Sequence, residues 1–136
     1  MADNQVVLSW SGEGNAFTGG IEGGPEVHID GGRSLGPSPM DSLLLSVAGC
    51  MGIDVLMILE KQRVPVESLD VRVSGERAET APRRFVSMRL DYDIRGPSEA
   101  DEPKIERAIA LSRDRYCSVL HTLRDDLDIE IDYRRS

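Results

Sequence analysis

Two thiols are the residues of this 136-residue chain best suited to chemistry, Cys50 and Cys117. A thiol acts through its thiolate, so its neighbours decide whether it reacts. Cys50 sits mid-way along an apolar stretch, too far from the helix start for the macrodipole to help it. Asp54, four residues on, shares its helical face. An ionised Asp54 works against a thiolate beside it, and a carboxylate in such apolar company needs a proton or a hydrogen-bond donor. Activation of Cys50 therefore has to come from a cation elsewhere, and Arg33, Arg113 and Arg115 are the candidates. Cys117 has Arg113 four residues before it and His121 four after, a cationic flank if the helix there is continuous. Both cysteines fall in expected helices, so the sulfurs meet if those helices pack. The bland alternative is that the two cysteines are small buried hydrophobes, with Arg113 and His121 a solvated edge.

Other chemistries find little support. The two histidines, His28 and His121, stand alone, without HxxxH or paired CxxC spacing, so no metal and no cofactor is expected. No GxSxG nucleophile elbow occurs. Gly31 to Gly36 has the glycine spacing of a phosphate loop, but Pro37-Ser38 stands where Lys-Ser/Thr is required, and it reads as a turn. A net charge of −8 and a pI near 4.7 argue against nucleic-acid and anionic membrane surfaces. No leader pattern opens the chain, so the expected compartment is the cytosol, where cysteines are reduced or redox-active rather than structural staples.

The elements that must position these thiols follow from periodicity. Residues 5–30 read as a meander of short strands, at 5–10, 16–18 and 26–30, punctuated by glycine pairs. Residues 38–61 read as one long helix, with Ser38 as N-cap, Pro39 at the first helical position and Asp41 in the place of a capping-box acid. Its apolar residues run almost all round, which marks a core helix, and Asp54, the serines and the glycines argue against a membrane span. Strands follow at 69–75 and 85–94 as an antiparallel pair. A helix starts at Asp101-Glu102-Pro103, its buried face carried by Ile105, Ala108, Ile109 and Leu111, and continues with a bend to about Leu123. A last alternating strand spans 127–133. With 40% apolar, 29% charged and only 4% aromatic residues, the expectation is a single α+β domain over residues 1–136 with an aliphatic core.

Three stretches carry a resemblance to a known family. Gly36-Pro37-Ser38-Pro39-Met40-Asp41 through Ala48-Gly49-Cys50 resembles the cysteine-helix motif of the OsmC/Ohr family of hydroperoxide-handling proteins. Gly75 to Phe85 and Ala108 to Val119 resemble its OsmC-related, YhfA-like branch. The resemblance implies an OsmC-like α+β fold: an N-terminal strand meander, a long central cysteine helix and a β-β-α-β C-terminal part. It further implies an intertwined homodimer that brings the two thiols together. Cys50 would attack a small organic hydroperoxide, Cys117 would resolve the sulfenic acid to a disulfide, and an external dithiol would reduce it. Hydroperoxide reductases of the family pair the thiolate with an arginine from the N-terminal strands and a glutamate ten residues before the cysteine. Here that position is Met40, Asp41 is one residue later, and strands 5–30 hold no arginine, which leaves Arg33 as the substitute. That departure, with Met40, Met51 and Met57 along the helix, supports a second expectation: a non-catalytic homodimer binding a small apolar ligand between its helices.

Overall fold

A computed structural model describes residues 2–136. They form two compact units that divide inside the long helix, one ending at Leu43 and the other covering Leu44–Ser136.

The first unit holds the expected meander. Strands β1 (Val7–Trp10), β2 (Ala16–Gly20) and β3 (Val27–Asp30) pair antiparallel in that order. The loop after β3 is a turn organised by the Asp30 carboxylate, which accepts the backbone N–H groups of Gly32 (2.8 Å), Ser34 (3.2 Å) and Leu35 (3.0 Å). Those donors hold its pKa below the ordinary carboxylate value. Gly36 packs against the His28 backbone so closely that a Cβ would lie 2.6 Å from the His28 carbonyl oxygen. Helix α1 (Pro39–Lys61) then begins with the expected capping box. Ser38 Oγ accepts from the Asp41 N–H at 3.1 Å, and the Asp41 carboxylate accepts the Ser38 N–H at 3.1 Å.

The second unit is a sheet with helices on one face. Strands β4 (Ser68–Arg77) and β5 (Phe85–Arg95) are antiparallel, as expected, and β6 (Asp128–Arg135) pairs parallel to β5 on its other side. Side chains alternate across β5. Met88, Leu90, Tyr92 and Ile94 point into the core, whereas Arg89 faces out and binds Asp91, Glu130 and Asp132. The inner face packs with Val47, Met51, Val55 and Leu59 of α1 and with Ile105, Ala108 and Ile109 of α2 (Glu102–Leu111). The opposite stripe of α1 is uncovered in the single chain: Leu45 is 60% and Ile53 59% exposed, with Leu56 and Met57 beside them. By length and composition α1 could cross a membrane, yet its other stripe is built into the chain's own core.

The helix expected from residue 101 to about 123 is interrupted. After α2 the backbone widens into a π turn (Ser112–Tyr116), closed by Cys117 N–H on the Ser112 carbonyl at 2.9 Å. Cys117 itself is extended and serves as N-cap of a short helix α3 (Ser118–Thr122). The anticipated bend is this turn.

Two predictions follow from the fold. Leu59 is fully buried, so Leu59→Ala should lower the urea-unfolding free energy by about 2–5 kcal/mol through a lost side chain and residual cavity. Asp41 has a folded pKa far below its ordinary value, first because of Arg33 and then Ser38. Its contribution is thus present above the unfolded carboxylate pKa and lost as the pH falls toward the folded one. The melting temperature of Asp41→Asn should lie below wild type by a constant margin above about pH 5, and the margin should shrink from about pH 4 downward.

Candidate active site

The two sulfurs meet. Cys50 Sγ, Cys117 Sγ and an Asp54 carboxylate oxygen lie within 4.8 Å of one another. Two different devices bring them together. Cys50 and Asp54 are stacked one turn apart on α1, whose buried stripe is fixed by the core. Cys117 is delivered by the π turn, which ends the α2 ladder and lets the extended residue after it point inward. Both cysteines are free thiols; Cys50 is half-buried, and Cys117 is 0% exposed.

The surroundings of Cys117 keep it protonated. Burial pushes its thiol up to about 11; a 3.3 Å hydrogen bond from Leu120 N–H opposes this, and Cys50 and Asp54 beside it push the same way as burial. Asp54 has its required donor: Ser112 Oγ–H, buried at the start of the π turn, bonds its carboxylate at 2.9 Å. Tyr92, from the inner face of β5, completes the setting. Its hydroxyl is buried and has no hydrogen-bond partner among the described residues. Burial raises its pKa, and the neighbouring Cys117 and Asp54 act in the same direction.

The expected cations are taken up by other partners. Arg113 is exposed and reaches the Ile129 carbonyl at 3.3 Å. His121 folds onto backbone, with Nδ1 2.9 Å from the Cys117 carbonyl and Nε2 3.2 Å from that of Asp114. Arg115 lies over the Tyr116 ring at 5.8 Å. The cationic stripe through Cys117 required a continuous helix, and the π turn removes that condition. Arg33 instead grips Asp41 with both prongs of its guanidinium, Nε on Oδ2 and Nη2 on Oδ1, each at 2.7 Å. Among the described residues no hydrogen bond or ion pair joins a cation to either sulfur. Sequence reasoning passed over Ser112 and Tyr92, although each left a trace. Ser112 continues the Ile105, Ala108, Ile109 face of its helix, and Tyr92 alternates with Leu90 and Ile94, so both were polar groups on an inward face.

Known proteins share the sequence pattern and the fold of this chain. The family model described as OsmC-like protein matches residues 31–132. The Escherichia coli protein YhfA is 35% identical over 130 residues, spanning 95% of this chain and 96% of that one. A crystal structure of a hypothetical protein from Aquifex aeolicus superposes with a TM-score of 0.86 at 28% identity, over 100% of this chain and 98% of its own. An organic hydroperoxide resistance protein from Legionella pneumophila shares the fold, with a TM-score of 0.69 at 15% identity over 98% of each chain. Matched along three quarters of its length by the family and along nearly all of it by YhfA, the chain belongs to the OsmC-like protein family.

Proposed function

We propose that the chain is a two-cysteine thiol redox protein that reduces small organic hydroperoxides. The observation that carries this reading is the approach of two free sulfurs from remote parts of the sequence to within 4.8 Å, in reach of a disulfide after a side-chain rotation. Access supports the division of roles. Half-buried Cys50 can meet an oxidant, whereas Cys117 is sealed from solvent and protonated, as a resolving thiol should be until its partner is oxidised.

The cycle balances as follows. The Cys50 thiolate attacks the distal oxygen of the hydroperoxide, the O–O bond breaks, and the alkoxide leaves with a proton as alcohol. Cys50 is then a sulfenic acid. Cys117 sulfur attacks the Cys50 sulfur, the S–O bond breaks, and the hydroxyl departs with the Cys117 proton as water. An external dithiol takes the disulfide back to two thiols by exchange. Such a cycle fits a reducing cytosol. The uncovered stripe Leu45, Ile53, Leu56 and Met57 fits a homodimer, in which a second copy removes that surface from water.

Adding one equivalent of an organic hydroperoxide to the reduced chain should remove both free thiols and two hydrogens of mass. In Cys117→Ser the oxidation should halt at Cys50, trapped by dimedone as a sulfenic-acid adduct. In Cys50→Ser peroxide consumption should fall by at least about two orders of magnitude. Two thiols that still titrate after the oxidant, or undiminished consumption by Cys50→Ser, would overturn the reading. For the assembly, Ile53→Glu should convert a dimer to monomer in sedimentation equilibrium; a wild-type chain that sediments as a monomer would remove the homodimer.

A further inference from the structure

The group that brings the thiols together contains more than a disulfide needs. Disulfide chemistry uses two sulfurs, but a carboxylate oxygen lies within the same 4.8 Å and is held there by its own buried donor, Ser112. Two sulfurs and one oxygen form a donor set that suits a borderline-soft d¹⁰ cation, and a hard cation such as Mg²⁺ would take oxygens instead. Tetrahedral zinc, with Zn–S near 2.3 Å, holds its sulfurs about 3.8 Å apart. Closing the present triangle to that size takes movements of about 1 Å or less, well within rotamer adjustment.

Two further features fit an ion. Ser112 donating to Asp54 is the outer hydrogen bond that fixes a ligating carboxylate and its orientation. Tyr92 brings a buried O–H that donates to nothing among the described residues, on a side chain 1% exposed that belongs to the same core cluster as Cys117. An unmade hydrogen bond on a buried hydroxyl costs about 1–3 kcal/mol. A zinc-bound thiolate carries the negative charge such a donor lacks, which a neutral thiol does not.

We infer that, in the reduced protein, Cys50, Asp54 and Cys117 bind one Zn²⁺ per chain, with Tyr92 and Ser112 as the supporting hydrogen-bond donors. Binding replaces the two S–H protons, which pass to solvent, and oxidises nothing. Two thiolates and a carboxylate leave the bound ion with one net negative charge, and the half-buried Cys50 and Asp54 side leaves the fourth position to water. Zinc and the disulfide then exclude each other, because both consume the same two sulfurs. Spacing rules overlook the set because Cys50 and Asp54 form only a two-ligand pair on one helix, while the third ligand comes from the far side of the sheet in sequence.

The experiment titrates Zn²⁺ into reduced, chelator-stripped full-length chain against a chromophoric chelator and repeats it with Co²⁺ as a spectroscopic probe. One ion per chain should bind, and Co²⁺ should show a sulfur-to-metal charge-transfer band with the strong visible bands of a tetrahedral site. Cys50→Ser and Cys117→Ser should each lose the site while keeping the far-ultraviolet circular dichroism of the fold. Ser112→Ala should keep the Co²⁺ band and bind about 10–100-fold more weakly. The disulfide form should bind none. Weak octahedral Co²⁺ spectra, or uptake unchanged in Cys117→Ser, would overturn the inference. Although it concerns the same residues as the redox reading, the two fail separately. A metal-free chain that forms the disulfide yet takes no zinc removes only this inference; a zinc-binding chain whose thiols survive peroxide removes only the other.

Discussion

A carboxylate in the middle of an apolar helix is the constraint around which the rest of the second unit is arranged. Left without a donor, Asp54 would destabilise the fold by the desolvation cost of a polar group, about 1–3 kcal/mol and more for a charged one. The fold answers with Ser112, a buried hydroxyl at 2.9 Å. To place that hydroxyl, α2 must run its inner face to residue 112, and there the helix widens into a π turn instead of ending in a loop. The turn has a consequence for chemistry, because the residue that leaves it is Cys117. One hydrogen bond thus connects the solvation of Asp54 to the position of the second thiol.

The same geometry explains why Cys50 and Cys117 differ although their sulfurs lie within 4.8 Å of each other. Cys50 is on the rim of the buried stripe of α1, open enough for a small molecule. Cys117 lies at the bottom, capping α3 with its sulfur and surrounded by the aliphatic core. Burial raises the thiol pKa, and a hydrogen bond from Leu120 N–H works against it without prevailing. A half-buried first thiol and a sealed second one is the order a two-step oxidation requires. A pair of equally exposed thiols would leave both open to over-oxidation.

Much of this was legible before any coordinates. The long helix, its Ser38–Asp41 capping box, the meander, the antiparallel pair and the closing strand follow from periodicity and capping chemistry, and those rules act within a few residues. What could not be read is where local rules hand over to packing. Helical propensity runs through residues 112–117 without a glycine or proline, so the π turn has no signature beyond the serine on an apolar face. The stripe Arg113, Cys117, His121 requires a continuous helix, and the π turn breaks it. Arg33 has a positive φ of 57° in a loop shaped by Asp30, and its partner Asp41 lies in the first turn of α1; sequence distance alone cannot show that the two side chains converge.

Helix α1 serves two environments at once, and this shapes what the thiol pair can do. Its Val47, Met51, Val55 and Leu59 stripe is fully buried within the chain, so the backbone that carries Cys50 and Asp54 is held by core packing rather than by a loop. That rigidity suits reactions that need two atoms at a set separation, because the ordering entropy is met once, on folding. Cys117, by contrast, sits between a π turn and a five-residue helix, a segment held by local hydrogen bonds and by the long-range bonds of Ser112 to Asp54 and of Arg113 to the Ile129 carbonyl. The proposed cycle asks this segment to let Cys117 close to bonding distance on oxidation and open again on reduction.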